Sequence, residues 1–148
     1  MSISELNERG LLPAGVWDCS LTEIRKRFGS FQKADRRVLL FEKLESFVEE
    51  ARQTGMVKAI IVDGSFISAK PDPNDIDLIV VLEKGHDFEI EIRPMAYNVL
   101  SRKRVHRRYG FDMFVVVEDS DSYKKRVDFF QQVKDSDDLK KGLLRIAL

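Results

Sequence analysis

Three short apolar runs in the middle of the chain constrain its fold more than any other feature. Residues 59–62 (Ala-Ile-Ile-Val) are closed by Asp63-Gly64, and residues 76–82 and 111–117 follow with the same β-branched character. The runs are continuous rather than alternating. That pattern belongs to strands covered on both faces, as in a layered α/β domain, not to a sheet with one wet side. The class expected is therefore α/β, a small mixed sheet with helices packed on it.

The flanking segments supply those helices. Ser20 and Glu23 have the spacing of a capping box, and Leu21, Ile24 and Phe28 share one face before Gly29. A longer helix is expected over residues 33–53, with Leu40, Leu44, Phe47, Val48 and Ala51 on one stripe and Gly55 as its stop. Pro94 suits the first turn of a helix reaching Arg107, and residues 121–132 read as another. The last six residues read as a closing strand. Residues 1–18 read as an irregular lead-in, with Trp17 and the adjoining Cys19 packing there. The whole, residues 1–148, is expected to be one domain: lead-in, helices over 19–54, a core over 58–117, and a helix and tail over 118–148.

Composition removes several classes. No apolar stretch approaches the roughly 18–20 residues that a membrane span needs, and no basic flank feeds a secretory h-region. Cys19 is the only cysteine, so no internal disulfide framework exists; with His86 and His106 alone beside it, neither does a Cys/His zinc cluster. A reducing, cytoplasmic setting is expected. Lys and Arg number 25 against 25 Asp and Glu. Any charge-driven binding must then come from local patches.

Three carboxylates stand where core strands should not want them. Asp75 and Asp77 flank Ile76, so the two-residue period of a strand turns both to one face and Ile76 to the other. Asp112 interrupts the next apolar run between Phe111 and Met113. A lone carboxylate beside a core costs several kcal/mol unless cations or metals partner it. Each could lie at a strand end in water; three on successive strands favour a shared divalent-ion site. Directly after the first run comes Gly64-Ser65, a turn whose backbone and hydroxyl can approach a phosphate. Asp63 beside it is either a fourth carboxylate at the rim or a turn residue.

Val62-Asp63-Gly64-Ser65, then Asp75-Ile76-Asp77-Leu78, then Phe111-Asp112-Met113 resembles the signature of the polymerase-β-like nucleotidyltransferase superfamily. The loop from Gly64 to Asp75 is similar to that of small bacterial nucleotidyltransferase-like proteins, some of them linked to mobile elements and defence loci. Leu12-Pro13-Ala14-Gly15 and Lys140-Lys141-Gly142-Leu143 fit the same resemblance at the chain's ends. What the resemblance implies is a nucleotidyltransferase-type fold and Mg²⁺-dependent (or Mn²⁺-dependent) transfer of a nucleotide from a triphosphate, ATP being the expected one. Asp75 and Asp77 would hold two ions. Gly64 and Ser65 would receive the β- and γ-phosphates, and Lys70 could reach a phosphate or simply be exposed. Asp112 would ligate the ion beside the attacking hydroxyl and help to deprotonate it.

The acceptor is the open part. Larger superfamily members carry a following helical domain, whereas 31 residues follow Val117 here. The resemblance to minimal nucleotidyltransferases of toxin–antitoxin pairs implies a macromolecular acceptor, a protein hydroxyl or a tRNA end. Arg102, Lys103, Arg104, Arg107 and Arg108 crowd into seven residues. They are either a solvated helix face with a cationic C-terminus or a clamp for polyanions. The alternative to the enzyme is a non-catalytic nucleotide- and metal-binding module acting as an antitoxin or regulatory partner.

Overall fold

The computed structural model describes residues 3–30, 35–87, 89, 91–134, 136 and 138–148. Its centre is a five-stranded mixed sheet in the order β1-β5-β2-β3-β4. The strands are β1 (Gly15–Cys19), β2 (Val57–Asp63), β3 (Asp77–Leu82), β4 (Asp112–Val117) and β5 (Gly142–Ala147). β1 runs parallel to β5, and β4 parallel to β3, while β2 is antiparallel to both β3 and β5. The three apolar runs are thus adjacent strands, and the closing strand inserts beside them.

Five helices pack on this sheet. The capping box forms as the Ser20–Glu23 spacing predicts: the Glu23 N–H donates to Ser20 Oγ, and Glu23 Oε1 accepts from the Ser20 N–H. It opens α1 (Leu21–Ile24), which continues as a π-helical turn over Arg25–Gly29 and buries Ile24 and Phe28. α2 (Asp35–Thr54) buries the expected stripe, with Phe41 added. Lys33, at the expected start of that helix, lies outside the described residues. α5 (Asp121–Gln131) agrees with its expected limits to within one residue.

Two expectations are corrected. The lead-in over 1–18 contains β1, an edge strand held on one side only, so half of its backbone is unpaired and its burial is partial. The single helix expected from Pro94 to Arg107 is instead a 3₁₀ turn (Pro94–Ala96), α3 (Tyr97–Leu100) and α4 (Arg102–Tyr109). Ser101 causes the break. Its backbone is extended, and its hydroxyl accepts from the Arg104 N–H, so it caps α4 rather than continuing α3.

The two faces of the sheet are covered unequally, and this positions the site. On one face Ile60, Val62, Leu78, Val80, Met113 and Leu144 pack with the buried side chains of α1, α2, α3 and α4. Burying each such side chain contributes about 1.5–3 kcal/mol. On the other face Ala59, Ile61, Ile79, Val81, Val116 and Leu143 meet Val127 and Phe130 of α5. A helix of 11 residues is only about 16 Å long. The end of the sheet beyond it is left for polar groups. Among the described residues no helix is long and apolar enough to cross a membrane.

Candidate functional site

At that open end three aspartates lie side by side. Asp63 pairs in register with Asp77, and Asp77 with Asp112. Their strands are neighbours, spaced about 4.8 Å apart. All three have the parity of Ile61, Ile79 and Val116, so they share the face that α5 partly covers. From sequence Asp63 is a rim carboxylate or a turn residue; in the fold it is the last residue of β2 and is buried. Asp75 requires a correction, because β3 begins at Asp77 and Asp75 lies in the approach to it. The alternation itself persists, for Ile76 is buried in the first-face core while Asp75 is exposed.

The Gly64-Ser65 turn binds Asp75 directly. The Ser65 N–H donates to Asp75 Oδ1 at 3.0 Å, and the Ser65 hydroxyl donates to the same oxygen. The Asn74 N–H in turn donates to Ser65 Oγ at 3.1 Å. Gly64 has φ +106, and a Cβ there would stand 2.7 Å from the Asp75 carbonyl oxygen. Only glycine lets the two strand ends approach so closely. Gly64→Ala should therefore cost about 3 kcal/mol of stability in urea unfolding, from strain and overlap together. A loss under about 1 kcal/mol would mean that the turn is not held this way.

The segment after the turn hangs on one buried arginine. Arg37, fully buried in α2, donates to the carbonyls of Phe28 (3.1 Å), Phe66 (2.7 Å), Ser68 (2.8 Å) and Lys70 (2.6 Å). Its planar fork suits such a set of acceptors in a way that lysine's point charge does not. Sequence reasoning missed it. The signal was present, for Arg37 precedes Leu40, Phe41 and Leu44 by three, four and seven residues and so sits on the apolar stripe.

A cleft of about 410 Å³ opens on these groups, with Asp63, Ser65, Asp75, Asp77, Lys134 and Lys141 in its lining. Lys141 was also missed as a site residue. It immediately precedes β5, where its N–H donates to the Gln131 carbonyl at 2.7 Å, and its Nζ lies 3.0 Å from Asp63 Oδ1. Burial pushes the Asp63 carboxyl above the usual range, and Lys141 pulls it back. Burial, then the charges of Asp75, Asp63 and Asp112, pushes the Asp77 carboxyl up to about 6. Four carboxylates that repel one another in this way suit a hard divalent cation, which takes oxygen ligands.

Among the described residues no three carboxylates, imidazoles or thiols already form a cage for an ion. Three of the four acids are instead engaged: Asp75 by Ser65, Asp63 by Lys141, and Asp112 by His106 Nδ1 at 3.5 Å. Lys70 does not join the site. Its side chain is exposed and outside the lining of the cleft, while its carbonyl is held by Arg37.

The basic segment divides. Arg102, Lys103, His106 and Arg107 line a second cleft, of about 710 Å³, that reaches Asp112. Arg108 faces away and pairs with Glu50 at 2.8 Å, and the Arg104 guanidinium lies over the Tyr97 ring. The helical period separates them, since neighbours in sequence stand about 100° apart around α4. Arg104 and Arg108 therefore do not line the cleft beside Asp112.

Residues 4–147 match a family of unknown function (DUF6932), and the chain belongs to that family. Comparison with curated proteins and with solved structures returns no match to either.

Proposed function

We propose that the protein is a metal-dependent nucleotidyltransferase of the polymerase-β-like type, moving a nucleotide from a triphosphate, ATP first among them, to a hydroxyl of a macromolecule. The observation that carries the reading is the convergence of Asp75, Asp77 and Asp112 at one end of the sheet beside the Gly64-Ser65 turn. The donor set fits the group: all its ligands are carboxylate oxygens, and the Asp77 carboxyl, raised first by burial and then by its acidic neighbours, is one whose charge a cation would neutralise. Mg²⁺ or Mn²⁺ ions, held by Asp75, Asp77 and Asp112, would supply neutralisation of the triphosphate's charge.

The chain's own residues do the rest. Ser65 holds two donors, its N–H and its hydroxyl, that now serve Asp75. Terminal phosphates taking those donors release the Asp75 carboxylate for a cation, so triphosphate and metal assemble together. Lys134 and Lys141 put positive charge in the same cleft. Asp112, exposed and on the side facing the second cleft, accepts the proton of the acceptor hydroxyl. The acceptor oxygen bonds to the α-phosphorus as the bond to the bridging oxygen breaks, and pyrophosphate leaves. Such catalysis rests on positioning and charge.

The test is transfer of an α-phosphate label from each of the four triphosphates, with Mg²⁺ or Mn²⁺ and a cell extract. The expected result is a labelled macromolecule with wild type and a loss of at least about a thousandfold with Asp77→Asn. Metal-dependent triphosphate binding without any transfer would support the module instead. Neither binding nor transfer would overturn both readings.

A further inference from the structure

We infer that the acceptor is single-stranded nucleic acid, bound along a basic and aromatic surface that runs from Asp112 across the free edge of β4 to α5. The inference rests on the transferase reading only for the role of Asp112; the surface itself stands on separate observations.

Two clefts share Arg102 as a lining residue. One holds Arg102, Lys103, His106 and Arg107 and ends at Asp112. The other, of about 640 Å³, is lined by Arg102, Phe114, Lys125, Arg126 and Phe129 among others. Together they bring five permanent cations against one carboxylate, in a chain whose 25 Lys and Arg and 25 Asp and Glu balance overall. Among the described residues none of those five has a carboxylate within ion-pair distance. Arg108, Lys140 and Arg145, by contrast, pair with Glu50, Asp128 and Glu118. Lys103 and Arg107 moreover sit four residues apart on α4, a like-charge spacing that weakens an isolated helix. A row of anions would relieve it.

The aromatic groups choose between kinds of polyanion. Phe129 is 61% exposed although it adjoins Phe130, which is buried, and the Arg126 guanidinium lies 5.9 Å from its ring centre. The guanidiniums of Arg126 and Arg102 lie 3.8 and 4.3 Å from the centre of the Phe114 ring, which fixes both cations at the wall of the groove. A cationic track with an accessible ring is how single strands are held without sequence readout: phosphates follow the charges and a base stacks on the ring. A duplex offers no base face to Phe129, and an acidic peptide has none. The strand end at Asp112 then presents its terminal hydroxyl to the site.

The experiment uses Asp77→Asn protein in EDTA, without triphosphate, so that its outcome is independent of metal binding and chemistry. Fluorescence anisotropy follows a labelled oligouridylate of about 12 nucleotides, a DNA strand of equal length and a duplex. Expected is saturable binding of the single strands in roughly the micromolar range at about 50 mM salt, weakening linearly on a log–log scale. Lys103→Ala/Arg107→Ala should flatten that slope by about 1.4, or about 0.7 for each phosphate no longer neutralised. Phe129→Ala, an exposed change that leaves the charges alone, should weaken single-strand binding about tenfold and leave the slope unchanged. No saturable single-strand binding at that salt overturns the inference and leaves the transferase reading intact. Duplex bound as tightly as single strand, with Phe129→Ala neutral, overturns it as well.

Discussion

Arg37→Met should lower the unfolding free energy by about 4 kcal/mol, the largest stability loss expected from any single change in this chain. The substitution keeps the stem's apolar packing and removes the charged fork, so four main-chain carbonyls lose their donor. Each buried acceptor left unpaired costs about 1–3 kcal/mol, and partial access of water to the loop carbonyls brings the sum down. Domains of this size are stable by only about 5–15 kcal/mol, so the variant should be marginal rather than mildly weakened. Arg37→Lys retains a cation with three donors but no fork, and about half the loss is expected. Urea unfolding measures both. Hydrogen exchange adds a local readout, because the amides of Phe66, Ile67 and Ser68 should lose protection before those of β2 and β3. Arg37→Met within about 1 kcal/mol of wild type would mean that the arginine does not hold the loop.

Asp77→Asn should do the opposite to stability while removing function. In the native chain the Asp77 carboxyl is raised to about 6, against about 3.9 in the unfolded chain. The native state thus binds this proton more tightly. Stability from this group is fully present below about pH 4, declines as pH rises from about 4 to 6, and is gone above that. At pH 7 the ionised group is a burden of about 1–2 kcal/mol, discounted for its partial exposure to solvent. Asparagine cannot ionise, so the variant should be more stable than wild type by that amount at pH 7 and equal to it at pH 4. Mg²⁺ should raise the melting temperature of wild type and leave the variant's unchanged. A variant less stable at pH 7 than at pH 4, relative to wild type at each pH, would show that burial and the neighbouring carboxylates do not burden the Asp77 charge as placed.

The features visible in the sequence are those governed by local physics. The apolar runs became β2, β3 and β4, because four or five consecutive apolar residues put apolar side chains on both faces of a strand. Ser20 and Glu23 capped α1 because a capping box needs nothing beyond four residues. The acidic pattern at Asp75, Asp77 and Asp112 could be read because aspartates stand at the start of runs that are otherwise apolar. What could not be read depends on register and on distant partners. Asp63 resembles a turn residue until β2 and β3 pair, and Lys141 meets it only because β5 inserts between β1 and β2. β1 was hidden because a half-paired edge strand needs no long apolar run. Ser101 broke a helix whose flanking residues are all compatible with one. Arg37 was visible as a misplaced charge on an apolar stripe, but its four acceptors come from segments far away in sequence.

Titration of ATP into the wild-type protein by calorimetry, with Mg²⁺ and then with EDTA, tests most directly whether these carboxylates and the Gly64-Ser65 turn form one metal–triphosphate site. The account predicts saturable binding in Mg²⁺, none in EDTA, and loss of the Mg²⁺-dependent binding in Asp77→Asn. Equal binding with and without the metal, or unchanged binding in Asp77→Asn, would contradict it.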